Sequence, residues 1–114
     1  MDSSELRIED VHGPREGQRV LRLNGPLVIN NFFDFQRMIR EDQSKALIID
    51  FSNVPYVDSA GIGALVGAYV SGQKTGRSLT LVSVSDRIRT ALRQTKVDQF
   101  FSFAENLSAA TAGK

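Results

Sequence analysis

The chain reads as a single α/β domain on a mixed sheet of four to five strands, and three features of the sequence say so. Leu6 and Ile8 alternate with polar neighbours, and Val20, Leu21 and Leu23 follow the turn-forming Gly13-Pro14-Arg15-Glu16-Gly17, the pattern of an antiparallel hairpin. The run Ala46 to Phe51 is too apolar to alternate, as expected of a central strand covered on both faces. A helical stretch then separates it from a further strand at Leu79, Leu81 and Val82, an order that implies a right-handed parallel crossover.

The remaining elements follow from local chemistry. Asn24-Gly25-Pro26 ends the second strand, and Asn30 or Asn31 can cap a helix whose Phe32, Phe35, Met38 and Ile39 share one face. Phe33 lies off that stripe and is expected in a second layer of core. The next helix should run from about Ser59 to Gln73 and end near Gly72 and Gly76. Ser85 or Asp86 can cap a third helix with Ile88, Ala91 and Leu92 inward and a solvated basic stripe of Arg89, Arg93 and Lys96. Phe100, Phe101 and Phe103 suggest a short last strand, Asn106 to Ala110 a final helical turn, and residues from about 111 to 114 a frayed tail.

Composition narrows the function. The 114 residues suit one domain with no linker or repeat to divide it. The chain has no cysteine, which removes disulfides, thiolate nucleophiles and thiolate zinc sites. The longest nearly apolar run, Ala60 to Val70, falls short of the roughly 20 residues a bilayer requires. The polar start Met1-Asp2-Ser3-Ser4-Glu5 has no signal-peptide pattern, so a soluble cytoplasmic protein without membrane insertion is expected. Residues 1 to 58 carry 7 basic and 10 acidic side chains and residues 59 to 114 carry 7 and 3, giving −3 and +4. So modest an asymmetry is not the footprint of a nucleic-acid binder. His12, the one histidine, has no second histidine or cysteine for a metal site, and a Ser-His-acid triad would have to recruit it from the end of the first strand. With no general base and no metal-ligand spacing, the chain is expected not to be an enzyme and to need no cofactor.

The most informative segment joins the central strand, through Ser52-Asn53-Val54-Pro55-Tyr56-Val57, to Asp58-Ser59-Ala60-Gly61-Ile62-Gly63. Serine and aspartate are both favoured N-caps, so either can start the helix. If Asp58 caps, Ser59 is a first-turn residue with an exposed hydroxyl. A phosphoryl group there would add about −1.5 to −2 charges and three acceptor oxygens. The positive end of the helix dipole and the N–H groups of Gly61 and Ile62 should accommodate it. Its repulsion with Asp58 would change the surface and not the fold.

Gly61, Gly63 and Gly67 do not have the dinucleotide spacing, and no Gly-Lys-Ser/Thr marks a phosphate loop. They are expected to let the helix pack closely, and Gly61 also to admit a partner's backbone near Ser59. The loops Asn24 to Leu27, Asn53 to Tyr56 and Ser83 to Asp86 should emerge at the edge that carries Ser59. Partner contacts are therefore expected at Gly25, Pro26, Asn53, Tyr56, Asp58, Ser59, Ala60, Gly61 and Ser85.

Asp58-Ser59-Ala60-Gly61-Ile62-Gly63-Ala64-Leu65, after a strand ending in Asp50-Phe51-Ser52 and after Val54, Tyr56 and Val57, closely resembles the signature of the STAS domain of bacterial anti-sigma factor antagonists. The resemblance covers most of the chain, and its specificity lies in residues 46 to 65. It implies one STAS-like domain over residues 1–114, with helices mainly on one face of the sheet, and it places the phosphoacceptor at Ser59. It also implies a cycle. The unphosphorylated chain binds an anti-sigma factor that is itself an ATP-using serine kinase, phosphorylation releases it, and a PP2C-type phosphatase restores it. Two departures stand out: Gly25-Pro26-Leu27-Val28 replaces the family's common Gly-acid-aliphatic-Asp, and Ala60 replaces a frequent Ser or Thr. Related modules serve as scaffolds in stress-signalling and lipid-transport complexes, where Ser59 would merely cap its helix. A nucleotide-binding or hydrolytic module working through the loops around Ser59 is the reading from another class.

Overall fold

The computed structural model describes residues 5–111, the side chain of His12 apart. Strands β1 (Arg7–His12) and β2 (Gln18–Asn24) pair antiparallel as the predicted hairpin. Gly17 takes φ +87 in the turn between them, a conformation that side chains bearing a Cβ rarely adopt. Helix α1 (Phe32–Glu41) leads to β3 (Ala46–Asn53), α2 (Ser59–Thr75) to β4 (Ser78–Val82), and α3 (Asp86–Gln94) with a 3-10 turn (Asp98–Phe100) to β5 (Ser102–Ala104). A short α4 (Leu107–Thr111) closes the described chain. The sheet order is β1-β2-β3-β4-β5, and every pair after the hairpin is parallel.

Strand periodicity divides the side chains between two faces. Leu21, Leu23, Leu47, Ile49, Phe51, Leu79 and Leu81 form the main core with Phe35 and Ile39 of α1, Ala64, Leu65 and Ala68 of α2, and Ile88 and Leu92 of α3. The opposite face holds a smaller cluster of Val20, Ile48 and Val82 under Leu107 and Ala110 of α4. Hence β3 is buried over Leu47–Phe51, as its unbroken apolar run predicts. Its one charge, Asp50, accepts from Arg22 Nε at 3.0 Å and from the N–H of Ser52 at 2.9 Å.

Several expectations are corrected. Phe33 is 63% exposed and lies in no second core layer, because the inward stripe of α1 is filled by Phe35 and Ile39. Asn31 occupies the N-cap position of α1 without capping it: its amide is engaged with the N–H of Val28 and the carbonyl of Pro26. Helix α2 continues to Thr75, where Gly76 at φ +80 ends it. Lys96 lies past the end of α3 with φ 63 and is off the basic stripe, while Arg89 lies over the Phe103 ring, 3.9 Å from its centroid. Thr111 is anchored, its hydroxyl donating to Leu107 O and its carbonyl accepting from Arg15 Nε. Residues 112–114 of the expected frayed tail lie outside the described residues.

A buried ion pair ties the helices to the sheet. The Arg77 guanidinium, just ahead of β4, donates to Asp42 Oδ2 at 3.1 Å, to Ile39 O of α1 at 3.4 Å and to Ala68 O of α2 at 2.9 Å. Asp42 also accepts from Arg19 at 2.9 Å and from the Ser44 hydroxyl at 2.8 Å. Burial alone pushes the Asp42 carboxyl up, but these donors outweigh it and hold the group below the ordinary carboxylate value.

Asp42→Ala leaves Arg77 buried without its counter-charge and is expected to lower the unfolding free energy by about 3–5 kcal/mol in urea titrations. Asp34→Ala, which removes only an exposed pair with Arg37, should change it by less than about 1 kcal/mol. Because the folded-state pKa of Asp42 is depressed, its contribution is complete above about pH 4 and is lost as the pH falls through the lower folded value. In thermal melts the acid limb of the stability profile should therefore be shallower for Asp42→Asn than for the parent chain.

Candidate functional site

Parallel pairing of β2, β3 and β4 brings the loops after them out at one edge, as the sequence predicts. The first two are stitched together by backbone. Gly25 N–H donates to Asn53 O at 3.1 Å, Leu27 N–H to Tyr56 O at 3.3 Å and Asp58 N–H to Leu27 O at 3.3 Å, and Leu27 pairs with Val57 as a parallel bridge. The side chains of Asn24 and Asn53 are also joined, at 2.7 Å.

Asp58 is the N-cap of α2. Its extended backbone (φ −108, ψ −174) leaves the helix, and its Oδ1 accepts from Gly61 N–H at 2.9 Å. The second oxygen, Oδ2, accepts from Ile29 N–H at 3.0 Å, so one carboxylate holds both the helix start and the loop ahead of α1. Ser59 is then the first residue of the helix, and it is exposed.

The donors near its hydroxyl differ from those expected. Gly61 N–H is taken by the Asp58 side chain and Ile62 N–H by the Asp58 carbonyl. The N–H groups left at the positive end of the helix are those of Ser59 and Ala60, as the geometry of a first turn requires. An anion on Ser59 Oγ would meet these two amides and the Asp58 carboxylate.

The other predicted contacts divide. Asn53 and Ser85 are exposed, Tyr56 and Ala60 half-buried. Ser85 caps α3 by accepting from Ile88 N–H at 3.2 Å. Arg87 lies over the Tyr56 ring, 5.4 Å from its centroid, and links α3 to the segment that leads to Ser59. Pro26 is buried and offers no surface. Gly61 is buried too: a Cβ there would collide with the carbonyl of Leu27, so the room it makes is filled by this chain and not by a partner. Gly25, at φ +123, likewise lies against the carbonyl of Glu5. Gly63 and Gly67 face open space, so close packing explains Gly61 but not these two.

Two residues beside the site were not legible in the sequence. Ile29 is joined to Asp58 and is 58% exposed, and Arg87 is drawn in by Tyr56. Ile29 comes from the loop ahead of α1 and Arg87 from α3, and no local pattern marks such contacts. Among the described residues, no group of three His, Cys, Asp or Glu side chains could hold a metal ion, and no helix is long and apolar enough to cross a membrane.

The STAS domain family matches residues 8–110. The chain is 34% identical over 50 residues to an anti-sigma-B factor antagonist of Staphylococcus aureus, an alignment covering 44% of this chain and 46% of the relative. It thus spans about half the length of that curated relative. An anti-sigma factor antagonist from Mycobacterium paratuberculosis superposes with a TM-score of 0.80 at 20% identity, covering 98% of each chain. A sulfate transporter family protein from Wolinella succinogenes superposes at 0.71 with 26% identity, over 84% of this chain and 83% of that one.

Asp58→Ala removes the cap and the tie to Ile29, and the expected loss is about 0.5–2 kcal/mol in denaturant titrations. Hydrogen exchange at the Ile29 and Gly61 amides should speed up together. Ser59→Ala should stay within about 0.5 kcal/mol of the parent, since it removes no packing.

Proposed function

The chain belongs to the STAS-domain family, and from that premise we propose that it is an anti-sigma factor antagonist whose binding face is switched by phosphorylation of Ser59. The observation that carries the reading is an exposed serine hydroxyl on the first turn of a helix whose capping is done by another residue, Asp58. Ser59 is thereby free of structural duty and open to modification. A phosphoryl group on it meets favourable helix-end charge and two amides with no helical acceptor, so the fold tolerates it. A partner docked over the same spot meets added bulk, a desolvation cost and a dianion beside Asp58.

In this reading the unphosphorylated chain binds an anti-sigma factor and frees the sigma factor. The anti-sigma factor is also the ATP-using serine kinase, and its modification of Ser59 ends the complex until a PP2C-type phosphatase acts. The chain supplies the substrate hydroxyl and needs no catalytic residue of its own. Asn53, Tyr56, Ala60 and Ser85 are the rim of the docking face, with Asp58 as the like charge beside the switched position.

The test is affinity capture from a lysate of the native organism with the parent chain, Ser59→Ala and Ser59→Glu, followed by calorimetry on the purified partner. A kinase-like anti-sigma factor should bind the first two forms and bind Ser59→Glu about a hundredfold more weakly, in keeping with the several kcal/mol that like charges cost at an interface. Equal binding of a transporter or ATPase by all three forms would instead identify a constitutive scaffold subunit.

A further inference from the structure

We propose that the cleft at the carboxyl ends of β4 and β5 binds a free α-amino acid, whose carboxylate pairs with Arg89 and whose ammonium group is received by Glu105 and Ser83. The cleft has a volume of about 400 Å³ and is lined by Ser83, Val84, Arg89, Phe103, Ala104 and Glu105. That volume lies within the range of small-molecule sites. Its place, outside the carboxyl ends of two parallel strands, is the usual one for ligands on an open α/β sheet.

The two charged side chains of the lining have opposite signs and do not satisfy one another. Among the described residues, neither Arg89 nor Glu105 has an ion-pair partner. The half-buried Arg89 guanidinium lies over the Phe103 ring, 3.9 Å from its centroid, and its N–H groups meet no acceptor among those residues. Its fork of donors is therefore available to a carboxylate. The Ser83 hydroxyl donates to Glu105 O at 3.0 Å, which leaves its lone pairs to accept from a ligand beside the Glu105 carboxylate.

The wall that carries these groups is held in an uncommon shape. Ser83 has φ 58, in the left-handed region that residues with a Cβ rarely adopt, and its N–H donates to Ala104 O at 3.1 Å. Such conformations persist where the surroundings impose them, and they cluster at ligand clamps. Charge then selects the ligand. A simple anion would gain Arg89 and be opposed by Glu105, a simple cation would meet the reverse, and an uncharged molecule would desolvate both charges with nothing to pair. An α-amino acid carries both signs on neighbouring atoms and pairs with each. Val84, Phe103 and Ala104 supply an apolar wall for a short hydrocarbon side chain.

The test is titration of the isotope-labelled chain with L-leucine and glycine, followed through its amide NMR shifts. Isocaproate, which is leucine without the ammonium group, and isoamylamine, which is leucine without the carboxylate, are titrated alongside. Leucine should give saturable shifts at Ser83, Val84, Phe103 and Glu105, and each singly charged analogue should bind about tenfold or more weakly, as for the loss of one charge-assisted pair. Arg89→Gln should weaken leucine about tenfold and leave isoamylamine unchanged, and Glu105→Gln should weaken leucine as much and leave isocaproate unchanged. A merely structural role would lower the affinity for leucine and its analogues together, and that outcome overturns the assignment. Equal binding of leucine and both analogues overturns it too, as does the absence of saturable shifts with either amino acid. Tightest binding by isocaproate would identify a site for simple anions and likewise overturn it.

Discussion

The arrangement of this molecule's edge depends on one carboxylate. Asp58 spends one oxygen on Gly61 N–H, closing the first turn of α2, and the other on Ile29 N–H, in a loop that begins on another strand. It adds a side-chain tie to the backbone bonds that already join the β2–α1 loop to the helix start. The contact is possible because Gly61 has no Cβ, so the Leu27 carbonyl can seat against the helix backbone. A larger residue would push the loop away and stretch both hydrogen bonds. Division of labour follows: the aspartate does the structural work of the cap, and the adjacent serine is left with nothing to hold.

Deeper in, a second polar device fixes the frame that this edge stands on. Arg77 is buried between α1 and α2 and donates to both, while Asp42 neutralises it and reaches out through Arg19 to Asp10 on β1. A buried pair of this kind gains little over well-packed apolar groups, because desolvation offsets attraction, but it is costly to break. Its value here is directional: hydrogen bonds to specific carbonyls set how α1 and α2 lie on the sheet, which leucine contacts alone would leave looser. On the other face, Arg22 bridges Asp50 and Glu9 and extends the polar cross-links to the sheet's edge. The loops at the carboxyl ends of the parallel strands, the one leading to Ser59 among them, stand on this frame.

That division between frame and rim accounts for how one fold can serve a switch. A phosphoryl group at the start of a helix is tolerated by the dipole and the spare amides, so the free-energy cost of modification falls on the complex and not on the fold.

How much of this was legible in the residues follows the range of the forces involved. The hairpin, the buried central strand and the position of the second helix all come from periodicity, turn chemistry and capping, which act over a few residues, and the sequence by itself determined them. Whether Asp58 or Ser59 caps the helix remained open there, because both side chains reach the same amide. Tertiary structure decided it, since only the folded chain brings Ile29 N–H to the second oxygen of Asp58. The same holds for Phe33, which helical spacing cannot assign to core or solvent once Phe35 and Ile39 have filled the inward face. It holds for Gly61, read as room for a partner and occupied by Leu27, and for Gly63 and Gly67, read as packing and left open. A glycine or a lone aromatic reveals what can approach it, but what does approach is settled by segments distant in sequence and brought together by the sheet.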